Sequence, residues 1–135
     1  MKKIILALTI GLLITTMLGA YADSTQKQIA SSLVRLHILA NSNDNVDQDI
    51  KLKIRDRIIS EMNPLFSESK NIIDTNRIIN ENLERIIEVS NDELSLNGCN
   101  YTANAMLGKS YFPTKYYGGM QLPPGEYNSL IISLG

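Results

Sequence analysis

A chain of 135 residues with 13 basic and 14 acidic side chains, one histidine and one cysteine is long enough for one domain with a modest core. Two possible Cys and His ligands cannot make a four-ligand structural zinc site, and a lone Cys99 cannot close an internal disulfide. The formal charge of −1 lacks the basic excess that general nucleic-acid binding requires.

Lys2 and Lys3 precede an apolar run from Ile4 to Leu18, followed by Ala20-Tyr21-Ala22. Charged, apolar and small-residue regions in that order predict a secretory signal cleaved after Ala22. The competing expectation is an uncleaved anchor, because Ile4 to Ala22 is just long enough to span a bilayer. No cysteine lies near position 22, which argues against a lipoprotein. Cleavage would remove two lysines and no acid, leaving a charge of about −3. The expected division is residues 1–22 as signal or anchor, 23–32 as a polar linker and 33–135 as a single domain.

Val34, Leu36 and Ile38 alternate with Arg35 and His37, the period of a half-buried strand. Asn41 to Asn45 gathers side chains that bond nearby backbone, so a helix cap is expected at Asp44 or Asn45. Ile50, Ile54, Ile58 and Met62 then recur every four residues, with Asp47 before Lys51 and Asp49 before Lys53, which predicts an amphipathic helix. Leu52 and Ile59 form a second apolar patch on it, with Lys51 and Arg55 in the gap. Either the stems of these cations cover apolar surface while their heads reach water, or Arg55 is paired or faces a partner.

Asn63-Pro64 predicts a helix stop, and residues 65–75 read as loop with some helical turn. Helical spacing returns at Ile79, Leu83, Ile86 and Ile87, and Asn97-Gly98 supplies the next stop signal. Beyond it Cys99, Tyr101, Ala103, Ala105 and Leu107 alternate with polar or exposed-type residues, predicting a strand. Residues 111–127 are rich in aromatics, glycine and proline and read as a long ordered hairpin loop. Residues 129–134, SLIISL, read as the last strand. The predicted fold class is α+β: a small two-layer domain in the order strand, helix, helix, strand, strand, with the helices on one face of a short sheet. A right-handed crossover is expected if the first two strands are parallel.

His37 is the only imidazole available to activate a nucleophile, and no G-x-S-x-G surrounds any serine. Asp44, Asp47 and Asp49 do not make a calcium loop, because the sixth and twelfth positions counted from Asp44 are Asp49 and Arg55 instead of Gly and Glu. Gly118-Gly119 lacks the Lys and Ser or Thr of a phosphate loop. Catalytic, cofactor and metal sites are therefore expected to be none. Tyr111, Phe112, Tyr116 and Tyr117 are either anchors for a protein partner or a minicore that fastens the hairpin.

RLHILANSN at 35–43 followed by DQDIKLKIRD at 47–56 resembles the signature of the stage II sporulation protein R family. YFPTK at 111–115, Tyr117-Gly118 and the PxGEY pattern from Pro123 to Tyr127 resemble its second signature. The resemblance implies a signalling protein of endospore-forming bacteria, exported across the forespore membrane. There it would activate a membrane-embedded aspartic protease of the mother-cell membrane, which processes the mother-cell sigma-factor precursor pro-sigma-E. Family members are expected to continue past position 135 into a tail with tryptophans and cysteines; this sequence ends at Gly135 and has no Trp. The nominated partner surface combines Arg35, His37, Asn41, Ser42, Lys51 and Arg55 with Tyr111, Phe112, Pro113, Thr114 and Lys115. No nucleic-acid partner is expected, and membrane contact is expected through the N-terminal segment alone. The alternatives are an exported hydrolase using His37 with a hydroxyl nucleophile, and a secreted protease inhibitor.

Overall fold

The computed structural model describes residues 1–135. Its first element is one helix, α1, Lys2–Ser32, with no buried residue. At about 1.5 Å per residue its apolar first part is long enough to cross a bilayer. The residues expected as a linker, 23–32, form the last third of this helix. Thr25, Gln26, Ile29 and Ala30 are half-buried there, and Gln26 donates a hydrogen bond to the Pro124 carbonyl.

At Leu33 the backbone becomes extended and enters β1, Val34–Leu39. The polar turn then leads into α2, Asn45–Phe66, with Asp44 at the cap position and Ile50, Ile54, Ile58 and Met62 buried as the four-residue spacing requires. The helix does not stop at Asn63-Pro64; it runs on to Phe66. Pro64 removes only the bond that would reach the carbonyl of residue 60, and Ser60 is exposed, so water can satisfy that carbonyl. The Asp47–Lys51 and Asp49–Lys53 pairs do not form. Lys51 instead reaches Gln48 and Lys53 reaches Asn97, while Asp47 is held elsewhere.

The single second helix expected from Asn76 is two helices, α3, Ile72–Glu81, and α4, Leu83–Leu96. Asn71 caps α3 by accepting the Asp74 N–H at 3.0 Å. The break falls at Asn82, whose Nδ2 donates to the Ile78 carbonyl at 2.8 Å, a side-chain bond that competes with the helical ladder. Apolar spacing is maintained across the break, which is why period alone did not reveal it. At the far end Gly98 has φ 72°. The Cys99 N–H bonds the Leu94 carbonyl and the Gly98 N–H bonds the Ser95 carbonyl, a Schellman closure.

The remaining strands are β2, Ala103–Phe112, β3, Lys115–Tyr117, β4, Met120–Leu122, and β5, Gly125–Leu134. The strand expected from Cys99 begins at Ala103, because Cys99 to Thr102 carry the chain off α4. Its alternation holds, with Ala103 and Ala105 buried and Asn104 and Met106 exposed. The long hairpin loop contains a hairpin of its own, β3 paired antiparallel with β4. The main sheet has the order β1-β5-β2. β1 runs parallel to β5, and β2 runs antiparallel to it, so the first two strands are neither neighbours nor parallel and the condition for a right-handed crossover between them is not met.

Leu130, Ile132 and Leu134 from the central strand meet Ala103, Ala105 and the buried faces of α2, α3 and α4 in one apolar cluster. Val34, Leu36 and Ile38 pack against its edge. The molecule is thus an α+β domain in two layers, with three helices instead of two on one face of a three-stranded sheet. β1 is an edge strand, and its odd-numbered residues face away from the helices.

Candidate partner-binding site

Strand period places Arg35 and His37 on the sheet face opposite the helical core, together with Phe112, Tyr127 and Ser129. Arg35 is only 9% exposed. Its guanidinium carbon lies 4.0 Å from the centre of the Phe112 ring and 4.8 Å from that of Tyr127. Phe112 and Tyr127 meet edge to face at 6.0 Å, and His37 tilts onto Phe112 at 5.3 Å. The Tyr127 hydroxyl donates to the Pro123 carbonyl at 2.5 Å, fixing the ring. Arg35 forms no ion pair, and its buried Nη1 has no hydrogen-bond partner; the same holds for His37 Nδ1. Burying a cation without a carboxylate is costly, and the two ring faces offset part of that cost.

Beside this stack, along the free edge of β1, lies a groove of about 810 Å³. Its floor is β1 from Val34 to Ile38. One wall is the second patch of α2, with Leu52, Ile59, Lys51 and Arg55; the other is Phe112, Pro113 and the β3–β4 hairpin through Lys115, Tyr117 and Leu122. Leu52, Ile59 and Tyr117 are all substantially exposed there. Arg55 pairs with its neighbour Asp56 at 2.8 Å, so its charge is locally compensated, whereas Lys51 and Lys115 form no ion pair.

The polar turn is a separate cluster. Asp47 accepts the Ser42 hydroxyl at 2.5 Å, the Tyr101 hydroxyl at 2.7 Å and Asn41 Nδ2 at 3.4 Å. The Ser42 bond foremost, then that of Tyr101, holds the Asp47 carboxyl below its usual range. Burial, reinforced by the neighbouring Cys99 thiol and the bond to Asp47, pushes the Tyr101 phenol up. Ser42 Oγ also receives the Asp44 N–H at 3.1 Å, and the Ser42 carbonyl receives Gln48 Nε2 at 2.8 Å. These bonds fasten the β1–α2 turn to the segment that leads into β2, a structural arrangement. Cys99 is half-buried against the core.

Of the nominated residues, Arg35, Lys51, Arg55, Phe112, Pro113 and Lys115 line one groove. His37 abuts it through Phe112, while Asn41 and Ser42 serve the Asp47 turn. Tyr111 is 69% exposed on the other side of β2 from Phe112, and Thr114 is half-buried between β2 and β3. The aromatic segment therefore divides: Phe112 packs inward on Arg35, while Tyr111, Tyr116 and Tyr117 face solvent. Sequence reasoning missed Leu122 and Tyr127. The alternation of Tyr127 and Ser129 against Leu130 and Ile132 was the available signal for the latter.

No solved structure matches this fold closely enough to be significant. The chain is 32% identical over 142 aligned positions to Stage II sporulation protein R of Bacillus subtilis (strain 168), a match that covers 99% of this chain and 63% of that protein. The chain thus spans under two thirds of the length of its curated relative. The profile of the family described as Stage II sporulation protein R matches residues 30–135, taking in β1, the groove and the Arg35 stack. On that match, the chain belongs to the stage II sporulation protein R family.

Proposed function

We propose that this protein is an exported sporulation signal that binds a membrane-embedded aspartic protease of the mother-cell membrane and activates it toward pro-sigma-E. The supporting observation is the buried Arg35, packed against two rings beside an apolar groove without a carboxylate of its own. A cation kept at such cost without an internal partner suits a site that pairs with another protein's acid. The apolar helix α1 fits a signal sequence or an anchor, which supports the reading that the domain is exported. Activation requires the domain to bind the active arrangement of the protease more tightly than the inactive one; a shift from 1:99 to 99:1 takes about a 10⁴-fold preference.

The hydrolase reading gains no support from the geometry, since His37 packs on Phe112 and bonds no hydroxyl or thiol. Co-expression in a non-sporulating bacterium with the candidate protease and its sigma-factor precursor tests the proposal. Immunoblotting should show precursor processing only when this chain is present. Absence of processing with a folded, exported chain would overturn the activator role, and suppression of a basal activity would establish an inhibitor instead.

A further inference from the structure

We infer that the free edge of β1 accepts an extended acidic segment of a partner protein as an added strand, with a carboxylate of that segment pairing with Arg35. This deepens the docking role proposed above and rests on it only in that the ligand is a protein segment, not in that the protein is a protease.

Three observations converge. β1 ends the sheet order, so alternate N–H and C=O groups of its six residues point away from β5 with no strand to receive them. A ladder of that length, roughly 20 Å, matches a guest of five or six residues. The walls beside that edge are built to flank a strand. A guest pairing with β1 turns alternate side chains to opposite sides, one set toward exposed Leu52 and Ile59 and the other toward Arg35, Tyr117 and Lys115. The first surface takes aliphatic side chains and the second takes acids.

Charge decides the sign. Arg35, Lys51 and Lys115 form no ion pair, and the groove's acid, Asp56, is already engaged by Arg55. Of the Arg35 nitrogens Nη1 is buried, which leaves Nε and Nη2, a pair that can take a carboxylate in two parallel bonds. The guest therefore alternates aliphatic and acidic residues.

The probe is a hexapeptide, acetyl-Val-Glu-Val-Glu-Val-Glu-amide, titrated against the full chain in detergent micelles, with backbone amide exchange and NMR shifts followed along β1. Saturable binding with slowed exchange confined to Val34 to Leu39 is the expected result. The Gln counterpart should bind about tenfold more weakly. Methylating the backbone nitrogens of one alternate set of peptide residues should abolish binding, whereas methylating the other set should spare it. Arg35→Met should abolish the preference for the Glu over the Gln peptide, and Lys115→Glu, at an exposed position, serves as the second variant and should weaken the Glu peptide several-fold without changing the fold.

Equal binding of the Glu and Gln peptides, equal tolerance of both methylated forms, or no binding at millimolar peptide would each overturn the inference. Peptide binding without precursor processing would retire the activator reading and leave the strand site standing. Processing by a chain that does not bind the peptide would retire the strand site alone.

Discussion

The Arg35 guanidinium carbon sits 4.0 Å from the centre of the Phe112 ring, although the two residues are 77 positions apart and lie on strands separated by β5. That contact ties the two sequence signatures of the family into one site. If its purpose is recognition, removing the charge should not harm the fold. Arg35→Met should leave the urea midpoint unchanged or raise it, because an unpaired buried cation gives way to an apolar chain that fits against the same rings. Phe112→Leu should lower stability by about 1 kcal/mol through loss of the cation–ring contact. Urea unfolding of both variants checks this, and a large loss for Arg35→Met would make the residue structural.

Asp47 supplies a pH dependence. Its folded carboxyl titrates below the ordinary 3.8 because Ser42 and Tyr101 donate to the ionised form. The network therefore stabilises the fold above the unfolded value and loses its contribution as pH falls through the folded one. Asp47→Asn should flatten the acid side of a stability profile below about pH 4. Thermal unfolding across that range reads the difference between the two chains.

Tyr101 acts at the other end of the scale. Its phenol is raised above the ordinary 10.0 by burial, by the neighbouring Cys99 thiol and by its bond to Asp47. The stabilisation is complete below the unfolded value and is lost as pH rises past it toward the folded one. Tyr101→Phe should remove that alkaline loss, measured by the same unfolding series carried above about pH 10.

Gly98 occupies the left-handed region at φ 72°, where it closes the Schellman turn after α4. Gly98→Ala should cost about 1 kcal/mol, since a Cβ disfavours that backbone even though nothing lies within 4 Å of it. Urea unfolding measures the loss.

Ile54 is fully buried at the centre of α2. Ile54→Ala should destabilise the domain by about 2–5 kcal/mol, through lost transfer energy and the cavity left behind. Chemical denaturation followed by circular dichroism reads the midpoint shift.

The sequence by itself determined the periodic elements: the alternation in β1, the Ile50-Ile54-Ile58-Met62 stripe of α2, the glycine stop after α4 and the inward set Ala103 and Ala105. These follow from local geometry, because a side chain's place along a helix or strand repeats at a fixed interval and apolar residues at that interval must find a common face. Leu52 and Ile59 were legible as a second patch, but not what they faced. Tertiary structure alone decided that β5 lies between β1 and β2, that the β3–β4 hairpin forms one wall of the groove beside β1, and that Arg35 rests on rings from residues 112 and 127. Those relations depend on strand order and on pairing between segments nearly a hundred residues apart, which no local period encodes. The break at Asn82 and the continuation past Pro64 were likewise set by particular hydrogen bonds and by which carbonyl faced water. The groove arises where these non-local choices meet, so its residues could be nominated one by one in the sequence but assembled only by the fold.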